Sequence, residues 1–140
     1  MAKMLLKYTL SSSAFFALSA NAFTPPSNQS YGSLYTPDLT HPVTQGQTFQ
    51  VTWDASKGSP GQTVSLVLCN GPGTNCVLQS SAIAENITAS SESYDWNVPC
   101  NLPTGTASTS TGYGMLIIVD GTGQFQYSTQ FSVLENPACS

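Results

Sequence analysis

The stretch GYGMLIIVDGTGQFQYSTQF, Gly112 to Phe131, decides the fold. Beyond the first 22 residues it is the most apolar and aromatic part of the chain, and Asp120 is its only charge. Asp120-Gly121, followed by Gly123, is hairpin chemistry, because tight β-turns need positive φ that glycine tolerates. Two strands are therefore expected, Tyr113–Asp120 and Gln124–Val133. In the second, Phe125, Tyr127, Thr129, Phe131 and Val133 share one face, while Gln124, Gln126, Ser128, Gln130 and Ser132 share the other. One face reads dry and the other wet. The first strand, with its MLIIV run, is apolar on both faces, as expected in mid-sheet. Neither stretch is long enough for a membrane helix, and the polar face would go unsatisfied in lipid.

Working outward, the same alternation recurs between Gly, Pro, Ser and Asn punctuation. Thr48–Asp54 (TFQVTWD) puts Phe49, Val51 and Trp53 on one face. Gln62–Cys69 reads as a central strand, Cys76–Gln79 as its short return, and Ala82–Ile87 as a weaker strand. Ser93–Val98 puts Tyr94, Trp96 and Val98 on one face. About seven short strands with turns between them predict an all-β, antiparallel two-sheet sandwich. Trp53, Trp96, Phe131 and Tyr127 are the expected core anchors. For the two tryptophans the competing role is stacking on sugar rings, but both lie in phase with other apolar residues. Residues 34–140 form the single expected domain, preceded by a flexible segment, 23–33 (TPPSNQSYGS from Thr24 to Ser33).

Residues 1–22 carry the marks of a secretory signal: Lys3 and Lys7, a short apolar run from Leu10 to Leu18, then Ala20-Asn21-Ala22. Without them, Lys57 alone stands against seven acidic groups, a net charge of about −6 with no Arg. Nucleic acids and anionic membrane surfaces make poor partners for such a surface. After an export signal, the four cysteines read as two disulfides. Cys69–Cys76 is favoured because NGPGTN between them forms a tight loop, and Cys100–Cys139 then follows. No C-x-x-C occurs and His41 is the only histidine, so no metal site is expected. Two sequons, at Asn86 and Asn28, suit an exported glycoprotein.

Catalytic chemistry finds little to use. His41 stands alone in a turn, LTHPVT, and no G-x-S-x-G elbow exists. Glu92 and Asp95 are the one carboxylate pair, but a spacing of three on a strand sends them to opposite faces. There is no EF-hand and no phosphate-cradling glycine pattern, so neither an enzyme nor a cofactor is expected.

The order of motifs resembles a known family. GQTFQVTWDAS (Gly46–Ser56), SLVLCNGPGTNCVLQSSAIAENI (Ser65–Ile87), SYDWNVP (Ser93–Pro99), TGYGMLIIVD (Thr111–Asp120) and FQYSTQFSV (Phe125–Val133) stand in sequence. Together they look like the fungal cell-wall-synthesis N-terminal domain of Ser/Thr-rich GPI-anchored proteins and yeast β-1,6-glucan assembly proteins. The resemblance implies an immunoglobulin-like or fibronectin-III-like sandwich, an extracellular or wall-associated location, and no established catalysis. It carries over no functional residue. Such proteins commonly continue into a Ser/Thr-rich stalk and a hydrophobic GPI signal, whereas this chain ends at LENPACS, so no membrane anchor is expected.

Two functions follow as expectations. The first is a secreted, non-catalytic cell-wall or matrix protein that binds or organises β-glucan or chitin. The alternative is a small secreted interaction protein, such as an effector, meeting a host or partner protein through loops or an edge strand.

Overall fold

A computed structural model describes residues 23–139, so the signal peptide expected at residues 1–22 lies outside the described residues. Eleven strands follow in chain order: β1 (Asn28–Gln29), β2 (Leu34–Thr36), β3 (Val43–Thr44), β4 (Thr48–Trp53), β5 (Thr63–Asn70), β6 (Val77–Leu78), β7 (Ala84–Thr88), β8 (Ser93–Asn97), β9 (Tyr113–Val119), β10 (Gln124–Tyr127) and β11 (Val133–Leu134). The expectation of about seven missed the short pieces β1, β2, β3 and β11, which lack the length for a visible period.

Two sheets face each other across one interior. The larger runs β1-β10-β9-β5-β6, with β7 also on β5; the smaller runs β2-β4-β8. A separate pair, β3 with β11, closes the side. The sandwich is antiparallel as expected, with two exceptions, the two-residue pairs β1–β10 and β3–β11, which run parallel.

β5 and β9 are apolar on both faces because they lie in mid-sheet and both faces are covered. Val64, Leu66, Leu68, Met115, Ile117 and Val119 point into the sandwich, against Val51, Trp53, Trp96 and Val98. Val67, Leu116 and Ile118 point the other way, into a second cluster with Phe23 and Phe125. Trp53, Trp96 and Phe131 belong to the interior. The Trp53 indole donates to the Ala89 carbonyl at 2.9 Å, satisfying its one polar group.

Tyr127 does not anchor that interior. It is half-buried against the second cluster, on the outer face of the larger sheet. The cause is one extra residue. Tyr127 pairs with Leu116, yet Phe131 pairs with Tyr113, so four steps along one strand match three along the other. A slip of one residue exchanges the faces. Phe125 and Tyr127 therefore point outward while Phe131 and Val133 point inward. Ser128 stabilises the irregularity: its hydroxyl accepts from the Met115 N–H at 3.1 Å and donates to the Thr129 carbonyl at 2.7 Å.

Residues 23–33 are likewise not a loose lead-in. Phe23 and Tyr31 are each only 3% exposed. The Ser27 N–H donates to the Gly123 carbonyl at 2.9 Å and the Tyr31 N–H to the Phe125 carbonyl at 3.1 Å. An apolar outer face and an unpaired β10 edge both require a cover, and this segment supplies it. Among the described residues, 23–33 thus pack as part of the same unit as residues 34–139.

Both disulfides are formed, Cys69–Cys76 and Cys100–Cys139. The first closes the loop between β5 and β6; the second ties the final 3-10 turn, Pro137–Cys139, to the corner after β8.

Candidate functional site

The residues that chemistry would recruit are dispersed. His41 Nδ1 lies 2.7 Å from Asp38 Oδ1, in an exposed turn where the Thr40 hydroxyl touches both. For Asp38, burial works upward, but hydrogen bonds from His41 and Thr40 outweigh it and hold the carboxyl below its ordinary value. Glu92 stands in left-handed conformation at the end of a 3-10 turn, and its Oε2 accepts the Ala55 N–H at 2.8 Å. Asp95 sits exposed on β8 and joins no hydrogen bond with Glu92. Among the described residues no cluster of His, Cys, Asp and Glu could hold a metal ion.

The sequon asparagines both face solvent. Asn86 occupies the irregularity of β7, with φ of 58°, a left-handed conformation that asparagine accepts more readily than most residues. Asn28 lies in β1, the strand laid beside β10.

Three concavities stand out among the described residues. The first, about 330 Å³, opens between the β8 edge and the β6–β7 connection; Leu68, Ile83, Trp96 and Leu102 form its floor. Gln79, Ser81, Tyr94 and Asn97 stand around it, and no charged side chain lines it. The second, about 220 Å³, is a mostly apolar groove on the outer face, between the Cys69–Cys76 disulfide and Tyr127. The third, about 640 Å³, is a shallow trough of Thr104, Thr106, Thr111, Ser132 and Glu135.

The cleft beside β8 exists because β8 is the last strand of its sheet. Among the described residues its only partner is β4, while β7, next before it in the chain, pairs with β5 in the opposite sheet. The sandwich is thus open along that side. Tyr94 and Trp96 project from β8 toward the interior in alternate positions, and Tyr94, nearer the opening, is half-buried. Sequence reasoning grouped Tyr94 with Trp96 but had nothing to join them to Gln79 and Asn97. That association depends on which sheet β7 enters, which no local pattern encodes.

No helix among the described residues is long and apolar enough to cross a membrane. No curated protein and no solved structure matches the chain. A family model does: the Kre9/KNH-like N-terminal Ig-like domain matches residues 36–133, from the end of β2 to the start of β11. That span holds β3 to β10, and so the central strands of both facing sheets, together with the Cys69–Cys76 disulfide. The family is secreted, related to the cell wall, and linked to assembly of fungal cell-wall glucan. An all-β sandwich with this motif order and this matched span belongs to the Kre9/KNH-like N-terminal Ig-like domain family.

Proposed function

We propose that this protein is a secreted, non-catalytic component of the fungal cell wall that binds or organises wall polysaccharide, β-glucan or chitin. Family membership over residues 36–133 carries the reading. The chemistry of the surface supports it: about −6 net charge beyond residue 22, a single lysine there, and a cleft beside β8 where amide, hydroxyl and aromatic groups stand among aliphatic ones with no charged side chain. Such a surface suits neutral polymers better than anionic ones. The two disulfides suit an oxidising, extracellular setting.

Two of the groups that catalysis would recruit are already engaged: Glu92 accepts the Ala55 N–H and Asp38 accepts from His41 and Thr40, so these two carboxylates hold turns. The test is partition. Washed walls and culture medium are separated, and purified protein is mixed with insoluble β-glucan and with chitin. Retention on walls and on one polymer is expected; protein found wholly in the medium and the supernatants would overturn the reading.

A further inference from the structure

We propose that the cleft beside β8 is the subsite at which this domain holds a neutral, linear glycan chain, with Tyr94 as the platform for a sugar ring. The proposal rests on the polysaccharide-binding reading above and assigns it to one place.

The three concavities differ in which polar groups are free. In the groove beside Cys69–Cys76, the Ser128 hydroxyl is committed to the Met115 N–H and the Gln130 amide to the Gly71 carbonyl. In the trough, Thr111 and Ser132 hydroxyls hold the backbone of Thr106 and Ala107, and Glu135 adds a charge. In the cleft beside β8, the Gln79 amide, the Ser81 hydroxyl and the Tyr94 hydroxyl have no hydrogen-bond partner among the described residues. The Asn97 side chain lies with Thr48 on the outer face, its Oδ1 accepting from the Thr48 hydroxyl at 2.8 Å, so Asn97 borders the cleft through its backbone.

The backbone adds to this set. The Trp53 N–H donates to Glu92 O and the Val98 N–H to Gln47 O, which fixes the parity of β8. Even-numbered residues turn their backbone groups toward β4, so those of Asp95 and Asn97 turn outward along the free edge. A row of donors and acceptors thus runs beside an aromatic ring over an apolar floor.

A pyranose presents that same pairing: an apolar face of C–H bonds and a rim of hydroxyls that both donate and accept. Amides and hydroxyls match the rim because they too do both. The cleft, about 330 Å³, is at the lower end of the range of about 300–1,000 Å³ usual for small-molecule sites. It is open along the β8 edge, so a chain could extend beyond one ring. The absence of lining charge excludes the features an anionic polymer would need.

Four variants are compared with the unaltered protein for retention on insoluble β-glucan and chitin: Tyr94→Ala, Tyr94→Phe, Gln79→Ala/Ser81→Ala and, in the outer groove, Tyr127→Ala. Expected is a loss of about tenfold or more in affinity for Tyr94→Ala and for the double variant, with Tyr94→Phe losing less and Tyr127→Ala unchanged. Because Tyr94→Ala also touches the core, each variant's unfolding midpoint is measured, and the double variant, exposed at both positions, carries the conclusion if Tyr94→Ala fails to fold. Retention of the double variant equal to that of the unaltered protein, or loss confined to Tyr127→Ala, would overturn this assignment while leaving the polysaccharide reading intact. Absence of retention by the unaltered protein would instead remove the reading beneath it.

Discussion

Gly114 lies opposite Cys69 in the β5–β9 ladder, and a Cβ on Gly114 would stand 2.9 Å from the Cys69 sulfur. The Cys69–Cys76 bridge therefore lies on the sheet where β9 offers no side chain. Any larger residue there pushes against a disulfide that cannot rotate away. Gly114→Ala should destabilise the fold by about 1–3 kcal/mol, read by urea unfolding. In a Cys69→Ser/Cys76→Ser background the penalty should shrink, since the serine pair can part. Equal penalties in both backgrounds would show that the sulfur is not what Gly114 accommodates.

Asp120 joins the ends of the two central strands. Its two oxygens accept from the Thr63 hydroxyl at 2.6 Å and the Ser65 hydroxyl at 2.7 Å, and its own N–H donates to the Thr63 carbonyl at 2.9 Å. Ser65 is fully buried, so without the carboxylate its hydroxyl lacks an acceptor. Asp120→Ala is expected to cost about 2 kcal/mol in chemical denaturation. Asp120→Ala with Ser65→Ala should cost less than the sum of the single changes, because the second change removes the stranded donor.

The hairpin, the mid-sheet strands and the three buried anchors Trp53, Trp96 and Phe131 were legible because each follows from a local pattern. Gly121 and Gly123 do take positive φ, at +90° and +83°, as the turn chemistry requires. What stayed hidden was non-local. Nothing in QFQYSTQFSV marks the extra residue near Ser128, since Ser128 is polar in either register and only the partner strand exposes the slip. Phe23 and Tyr31 lie within a stretch of Pro, Ser and Asn that reads as loose. Phe23 is ordered by the outer sheet face around Phe125, about a hundred residues away in the chain, and Tyr31 by the sandwich interior. The candidate cleft has the same origin, because Gln79 and Asn97 meet only through the choice of sheet for β7.

The turn at Asp38 gives a pH-dependent signal of known sign. The carboxyl is held below its ordinary value in the folded state. A group so lowered contributes stability above the unfolded value, and that contribution fades as pH falls through the folded one. The effect on unfolding should be slight, because the His41 and Asp38 side chains are 60% and 31% exposed. The titration itself is the measurement: NMR of the Asp38 carboxyl should show a midpoint below that of an unstructured aspartate. His41→Ala and Thr40→Ala should each move it upward. An unmoved midpoint in both variants would mean that these two hydrogen bonds do not set it.

The C-terminal tail is held twice over, and the two attachments can be separated. Cys100–Cys139 closes a loop of 39 residues by sequence separation. A loop of that size is worth about 4 kcal/mol in the chain-entropy account. Gly46, with φ of +74°, passes so close that a Cβ would stand 2.7 Å from the Cys139 sulfur. Independently, the Asn136 amide donates to the Gln45 carbonyl at 2.9 Å, and the Asn136 N–H to the Gln45 side chain at 3.2 Å. Cys100→Ser/Cys139→Ser should therefore lower the urea midpoint by an amount corresponding to about 2–4 kcal/mol. Native-state amide exchange should remain slow at Val43, whose N–H donates to the Ser132 carbonyl, because the Asn136 attachment and the β3–β11 pairing persist. Adding Asn136→Ala to that variant should release the tail, and rapid exchange at Gln45, whose N–H donates to the Leu134 carbonyl, would register it. If Gln45 already exchanges rapidly with only the cysteines replaced, the disulfide alone holds this end of the sandwich.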